Sequence, residues 1–181
     1  MPVPTDFEFD PVLEGPNLRL RPVRADEFEA IYAVSSDPLV WAQHPAKNRS
    51  QRSVFEGWFA EALTQHALIV EERVSGRVIG STRFYEWNPA AREVAIGFTF
   101  LARDHWGGVT NAEKKGVMLA HAFKWASTVW FHVNKDNTRS RRAMEKIGAH
   151  YSHEAAHVIN GAAPVDYVFY RIDAPVCGSK P

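Results

Sequence analysis

Hydrophobic positions along the chain switch repeatedly between two periods. Leu18 and Leu20 alternate with Arg19 and Arg21, the two-residue period of a short strand. Ala25 and Asp26 then open an acidic first turn, and Phe28, Ile31 and Tyr32 recur at helical spacing until Asp37-Pro38 ends the run. Ser50 is placed to cap a second helix with the apolar stripe Phe55, Trp58, Phe59, Ala62 and Leu63. Three strand-like runs follow: 67–71, 78–85 after the Ser75-Gly76 turn, and 93–100 after Asn88-Pro89, together predicting a meander. In the third run Val94, Ile96, Phe98 and Phe100 share the core face. Glu93, Ala95, Gly97 and Thr99 share the other, which is small enough to admit a ligand.

A Gly107-Gly108 loop leads into a helix over 111–126, with Ala112, Leu119, Ala122, Phe123 and Ala126 on its buried side. Residues 129–133 read as a strand, and 137–148 as a short helix carrying Ala143, Met144 and Ile147, capped by Gly148. Strands over 150–158 and 165–172 close the chain around an Asn160-Gly161 turn. The expected order is β-α-α-β-β-β-α-β-α-β-β, a mixed α/β (α+β) chain. With no internal linker or repeat, residues 1–181 read as one domain. The proline-rich start through residue 12 and the end, 174–181, read as irregular tails.

Composition narrows the function classes. The 181 residues carry 21 basic and 21 acidic side chains, so the formal net charge is zero and a phosphate-neutralising nucleic-acid binder is not expected. The single cysteine, Cys177, excludes an intrachain disulfide and a cysteine-based zinc site. The acidic, proline-rich start does not read as a signal peptide, and no stretch has the apolar length of a membrane span. A soluble, cytoplasmic protein is the expectation.

Two segments carry candidate chemistry. The first is strand, glycine loop and helix around His105-Trp106-Gly107-Gly108-Val109-Thr110-Asn111, where backbone N–H groups and the positive helix end converge as a phosphate needs. It is neither a Walker loop nor a dinucleotide fingerprint, and a plain turn before a helix reads equally well. The second, 137–149, crowds Arg139, Arg141, Arg142 and Lys146 onto a short helix, a pattern also shown by a solvated face.

Together, W-G-x-x-x-N-x-E-x-K at 106–115 and N-x-R-S-x-R-A-x-x-x-I-G-A at 137–149 resemble the GNAT acetyltransferase superfamily, and more closely its RimJ/RimL branch of ribosomal-protein N-terminal acetyltransferases. The resemblance spans about Leu13 to Asp173. It implies the GNAT fold, a mostly antiparallel sheet of about seven strands flanked by about four helices. It also implies acetyl-CoA as co-substrate, a primary amine as acceptor (a protein N-terminus or a small molecule), direct attack in a ternary complex, and a monomer or homodimer. In such a fold the pantetheine arm lies along Thr99, Phe100 and Leu101, and the pyrophosphate on Trp106, Gly107, Gly108, Val109, Thr110 and Asn111. The superfamily's usual glycine is Val109 here, and valine resists positive φ. Asn137 matches the asparagine that braces the last helix and contacts the cofactor. Arg139, Arg141 and Arg142 fall near the adenosine 3'-phosphate. Ser140 matches the hydroxyl near the departing sulfur, and Met144 stands where many relatives carry a proton-donating tyrosine.

Amine attack also needs a base. Glu93 is the first candidate, lying upstream on the strand of the thioester contacts, with His132 the alternate. Trp41, His44, Tyr85 and Trp87 are aromatic candidates for the acceptor groove, and Asp166 a possible reader of a positive amine. A metal enzyme would lean on His150, His153 and His157, but a strand spaces them too far apart, so no metal is expected. The rival reading is a catalytically inactive GNAT-fold domain that binds acyl-CoA or another ligand as a sensor or interaction module.

Overall fold

Phe7 is already buried ahead of any regular element: its ring sits 5.0–5.4 Å from those of Phe9, Phe84, Trp87 and Trp125. The computed structural model describes residues 6–159 and 161–175. Residues 6–12 have no regular structure, as expected, yet they are anchored in the core.

The elements follow in the order β1 (Leu13–Glu14), β2 (Leu18–Pro22), α1 (Phe28–Ser35), α2 (Arg52–Thr64), β3 (Leu68–Glu72), β4 (Val78–Asn88), β5 (Glu93–Leu101), α3 (Thr110–Ala122), β6 (Thr128–Asn134), α4 (Thr138–Lys146), β7 (His150–His157) and β8 (Val165–Asp173). Eight strands, one more than expected, form a single sheet ordered β1-β2-β3-β4-β5-β6-β8-β7. The extra one is β1, too short to show a period. All neighbours are antiparallel except β5 and β6. No helix among the described residues is long and apolar enough to cross a membrane.

Each face of the sheet buries one apolar cluster. On one, α3 and α4 supply Met118, Ala122 and Met144 against Leu20, Ile79, Phe84, Val94, Ile96 and Phe131. On the other, α1 and α2 supply Ile31, Val34, Phe55, Trp58, Phe59 and Ala62 against Ile69 and Phe100. Leu63 is exposed, narrowing the predicted α2 stripe, and Ser50 does not cap α2, which starts from Gln51. In α3 the buried residues are Lys114, Lys115, Met118, His121 and Ala122, while Ala112 is exposed. Of the predicted stripe Ala122 and Ala126 are buried and Leu119 and Phe123 pack against the core; only Ala112 departs, and three polar residues not read as buried, Lys114, Lys115 and His121, point inward as well.

β5 departs most from a regular strand. Phe98 has φ +53°, and the β4–β5 register slips between Ser81 and Arg83. This one-residue bulge reverses the alternation beyond it. Val94 and Ile96 pack on the α3 side, whereas Phe100 packs among Trp41, Phe55 and Trp58 on the other. Thr99 joins the α3 side, its hydroxyl 2.9 Å from that of Thr82, which in turn reaches Met118 Sδ. The expected shared faces therefore hold only up to the bulge, and Glu93 and Thr99 lie on opposite faces. The Arg83 guanidinium, 3.5 Å from the Phe98 ring centroid, covers the bulge from the α2 side and donates to Gln65 Oε1.

Candidate active site

β5 and β6 pair at only three positions, Glu93 with Thr128, Val94 with Val129 and Ala95 with Trp130, and then diverge. Beyond Ala95 the β5 backbone pairs with no strand on its β6 side among the described residues. A cavity of about 470 Å³ opens in the gap and runs between the two faces of the sheet. Its walls come from β5 (Gly97 to Leu101), the loop before α3 (Trp106, Gly107), α3 (Asn111, Lys115), β6 (Phe131 to Asn134), α4 (Asn137, Arg139, Ser140, Met144) and the segment before α2 (Trp41, His44, Arg49).

At one end the helix starts converge. α3 begins without a side-chain cap, which leaves first-turn amides free. Gly107 takes the positive φ of the loop, +73°, and a side chain added there would meet nothing within 4 Å. Val109 has φ −77° and is 73% exposed, so the backbone needs no glycine there and the valine side chain points to solvent. Trp106 Nε1 donates to the Leu101 carbonyl at 2.9 Å, tying the loop to the end of β5. Arg139 stacks 3.8 Å over Trp106 and donates to the Val40 carbonyl at 3.0 Å, closing the mouth from α4. Asn137 caps α4 by accepting from Ser140 N–H at 3.1 Å. The Ser140 hydroxyl is thereby spared a capping role, and among the described residues it has no hydrogen-bond partner.

Lys115, 3% exposed, contributes an ammonium 4.8 Å from the Phe131 ring centroid and has no hydrogen-bond or ion-pair partner among the described residues. Burial pulls it down to about 7, so it is only partly charged at neutral pH. An uncapped helix start, an open glycine turn, an unpartnered lysine and an unpaired strand edge in one cavity suit a long, anionic, amide-bearing ligand.

The other end holds a titratable pair. Tyr85 Oη lies 2.8 Å from His132 Nδ1. The His132 side chain is 4% exposed, and burial, reinforced by His157 and His153, pulls it down to about 4. It is therefore neutral at physiological pH, and its Nδ1 can accept a hydrogen bond from the Tyr85 hydroxyl. Burial also pushes the Tyr85 hydroxyl up. Glu86, which adopts φ +53°, brings its carboxylate 3.9 Å from His132 Nδ1 and 2.9 Å from His157 Nε2. His132 also lines a second, open cavity of about 560 Å³, with Glu86, Trp87, Glu93, Trp130, His153, His157 and Phe169.

Of the residues singled out from sequence, the 470 Å³ cavity gathers Trp41, His44, Tyr85, Thr99, Phe100, Leu101, Trp106, Gly107, Asn111, His132, Asn137, Arg139 and Ser140. Glu93 and Trp87 line the second cavity instead. Gly108, Val109, Thr110, Arg141 and Arg142 line neither, and Asp166 faces solvent beside Lys135. His150, His153 and His157 lie on strand β7 as expected; two of them face the second cavity. Lys115 closes the 106–115 motif, but no role was read for it; Arg49, Glu86 and the role of His157 went unread because these residues come from separate elements with no motif around them.

A family model described as "Acetyltransferase (GNAT) domain" matches residues 17–150. The chain belongs to the GNAT acetyltransferase family. As a GNAT protein it is an acetyl-CoA-dependent N-acetyltransferase, and the cleft between β5 and β6 is the feature that suits its co-substrate. Solved structures share the fold. A GCN5-related N-acetyltransferase from Brucella melitensis is 20% identical over 95% of this chain and 80% of that one, with a TM-score of 0.79. A GNAT-family acetyltransferase from Bacillus anthracis is 19% identical over 90% and 98%, with a TM-score of 0.66. Mycobacterium smegmatis RimJ, solved with CoA-disulfide, is 19% identical over 97% and 92%, with a TM-score of 0.67. Among curated proteins none matches this sequence.

Proposed function

We propose that this GNAT protein transfers the acetyl group to a primary amine, as in the RimJ/RimL branch, by direct attack in a ternary complex. The observation that carries the reading is the meeting, in one cavity, of a phosphate-suited helix start, a free serine hydroxyl and a buried Tyr–His pair.

Bound acetyl-CoA supplies the thioester. Gly107, the first-turn amides of α3 and Asn111 hold its phosphates, and the open edge of Thr99 to Leu101 takes its amide-bearing arm. A backbone N–H of the bulged segment stabilises the carbonyl oxygen as charge builds on it. Tyr85 Oη faces the incoming amine. As the amine attacks, its proton passes to the Tyr85 oxygen while the Tyr85 proton moves to His132 Nδ1. With its basicity depressed by burial, His132 relays the proton rather than storing it; the Glu86 carboxylate beside it and His157 lead to the second cavity. Glu93 stands on the wall of that cavity, at the outlet of the path rather than its start. Ser140, or a water it holds, protonates the departing sulfur in place of the tyrosine replaced by Met144.

Thiol release from acetyl-CoA with a panel of primary amines tests the reading. Tyr85→Phe and His132→Gln are expected to lower kcat/KM by about 10²- to 10⁴-fold, the usual range for a general base. Glu93→Gln is expected to cost far less. Loss of activity in Glu93→Gln with full activity in His132→Gln contradicts the assignment.

A further inference from the structure

Arg49 is a cation in the acceptor end of the cavity that no side chain among the described residues pairs with. It belongs to the 3-10 turn Lys47–Ser50, whose backbone is fastened to α1: Ser35 Oγ donates to the Arg49 carbonyl at 3.1 Å and Tyr32 Oη to the Ser50 carbonyl at 3.0 Å. The guanidinium lies 5.4 Å from the Trp41 ring centroid and lines the cavity, and among the described residues it makes neither a hydrogen bond nor an ion pair. A guanidinium keeps its charge at any ordinary pH. Removing that charge from bulk water without a counter-charge is costly, and a ligand carrying one offsets the cost.

Its neighbours fix which ligand. Arg49 is electrostatically coupled to Glu61 of α2, to Tyr167 of β8 and to the buried Arg83 of β4. Of these, Tyr167 and Arg83 also act on Tyr85, at the Tyr85–His132 end, whereas Gly107, Asn111 and Lys115 line the end assigned to acetyl-CoA. Glu61, the one carboxylate on the cavity wall among the described residues, is exposed and forms no ion pair with Arg49 there. Two arginines against one exposed glutamate disfavour a polycation. A guanidinium over an aromatic face also keeps its in-plane N–H fork for a planar, bidentate anion.

We infer that Arg49 binds a carboxylate carried by the acceptor, so that the preferred substrate is an amino-carboxylate. Two sources share this chemistry: a free α-amino acid, and a peptide whose first residue is acidic. The inference rests on the amine-acetylating reading above and specifies its acceptor.

The test is calorimetric titration of the CoA-saturated protein with matched ligands: free amino acids, their amides, the corresponding decarboxylated amines, and a peptide amide beginning with Asp. Thiol release with acetyl-CoA is measured in parallel. The expected result is at least tenfold tighter binding of carboxylate-bearing members, with the same preference in kcat/KM. In Arg49→Gln the preference collapses while acetyl-CoA affinity stays at the wild-type value; Arg49→Lys keeps part of it. A preference for free amino acids or for the Asp peptide identifies the source. Equal binding with and without the carboxylate, no binding of any carboxylate member, or loss of acetyl-CoA affinity in Arg49→Gln overturns the inference. Absence of both acetyl-CoA binding and thiol release with every amine overturns the underlying reading instead. The wild-type comparison stands even if a variant folds poorly.

Discussion

At the scale of single residues, Gly97 shows why a small side chain faces the cavity. A Cβ placed there would come within 2.9 Å of Tyr85 Cε1, so the glycine leaves room for the Tyr85 ring beside β5. Gly97→Ala is expected to push Tyr85 away from His132 and lower kcat with little change in acetyl-CoA affinity; an unchanged kcat contradicts the account. Asn137 is equally specific. Asn137→Ala removes the α4 cap, at a cost of about 0.5–2 kcal/mol in thermal or denaturant unfolding. Titration adds a third expectation. Burial holds both His132 and His44 down to about 4, and lowers His121 as well. In the unfolded chain these groups return toward 6.5, so the unfolded state binds protons first as pH falls. Stability is therefore full above about pH 6.5 and is lost progressively from there to about 4. Calorimetric melting across that window should show a falling Tm, and His132→Asn should flatten part of the fall. At this scale the sequence was legible where a motif named the residue, as at Asn137 and Ser140. It was opaque at Arg49, whose significance comes from neighbours far away in the chain, and at Lys115, which a motif contains but whose burial it does not show.

Among elements, β5 does the most to build the site, and it was read only halfway. Its alternation up to Ile96 is plain in the sequence, but the reversal at Phe98 was not read, although Gly97 beside it is the kind of strand glycine that marks a bulge. The bulge is held by tertiary contacts, chiefly the Arg83 guanidinium on the Phe98 ring and Gln65 Oε1 behind it. The reversal moves Thr99 to the other face; Glu93, chosen for sharing a face with it, ends in another cavity because it lies back where β5 still pairs with β6. Arg83→Met should weaken acetyl-CoA binding more than it lowers Tm, since a buried arginine with two unsatisfied nitrogens contributes little net stability. A large drop in Tm with unchanged affinity argues against that role. In α3 the hydrophobic stripe was legible but the inward Lys115 was not, because a residue that serves a cavity does not follow the apolar period.

Over the whole molecule, the balance of 21 basic and 21 acidic side chains conceals an uneven distribution. Arg49, Lys115 and Arg139 line one cavity whose only carboxylate among the described residues is the exposed Glu61. Lys115 sits near 7 in that cavity, and an anionic co-substrate sharing it favours the charged form. Acetyl-CoA binding at pH 8 should therefore take up as much as about one proton, read from calorimetry in buffers of different ionisation enthalpy, and Lys115→Met should abolish the uptake. Element order and mixed topology could be read from sequence because each element repeats its own period. The cleft could not, because it exists only where β5 and β6 stop pairing.

Hydrogen exchange with and without saturating acetyl-CoA tests this cleft as the co-substrate site most directly. The expected result is slowed exchange of amides in 97–101, 106–111 and 137–140, with the second cavity around 86–93 unchanged. Protection confined to the second cavity, or none at all under saturating acetyl-CoA, contradicts it.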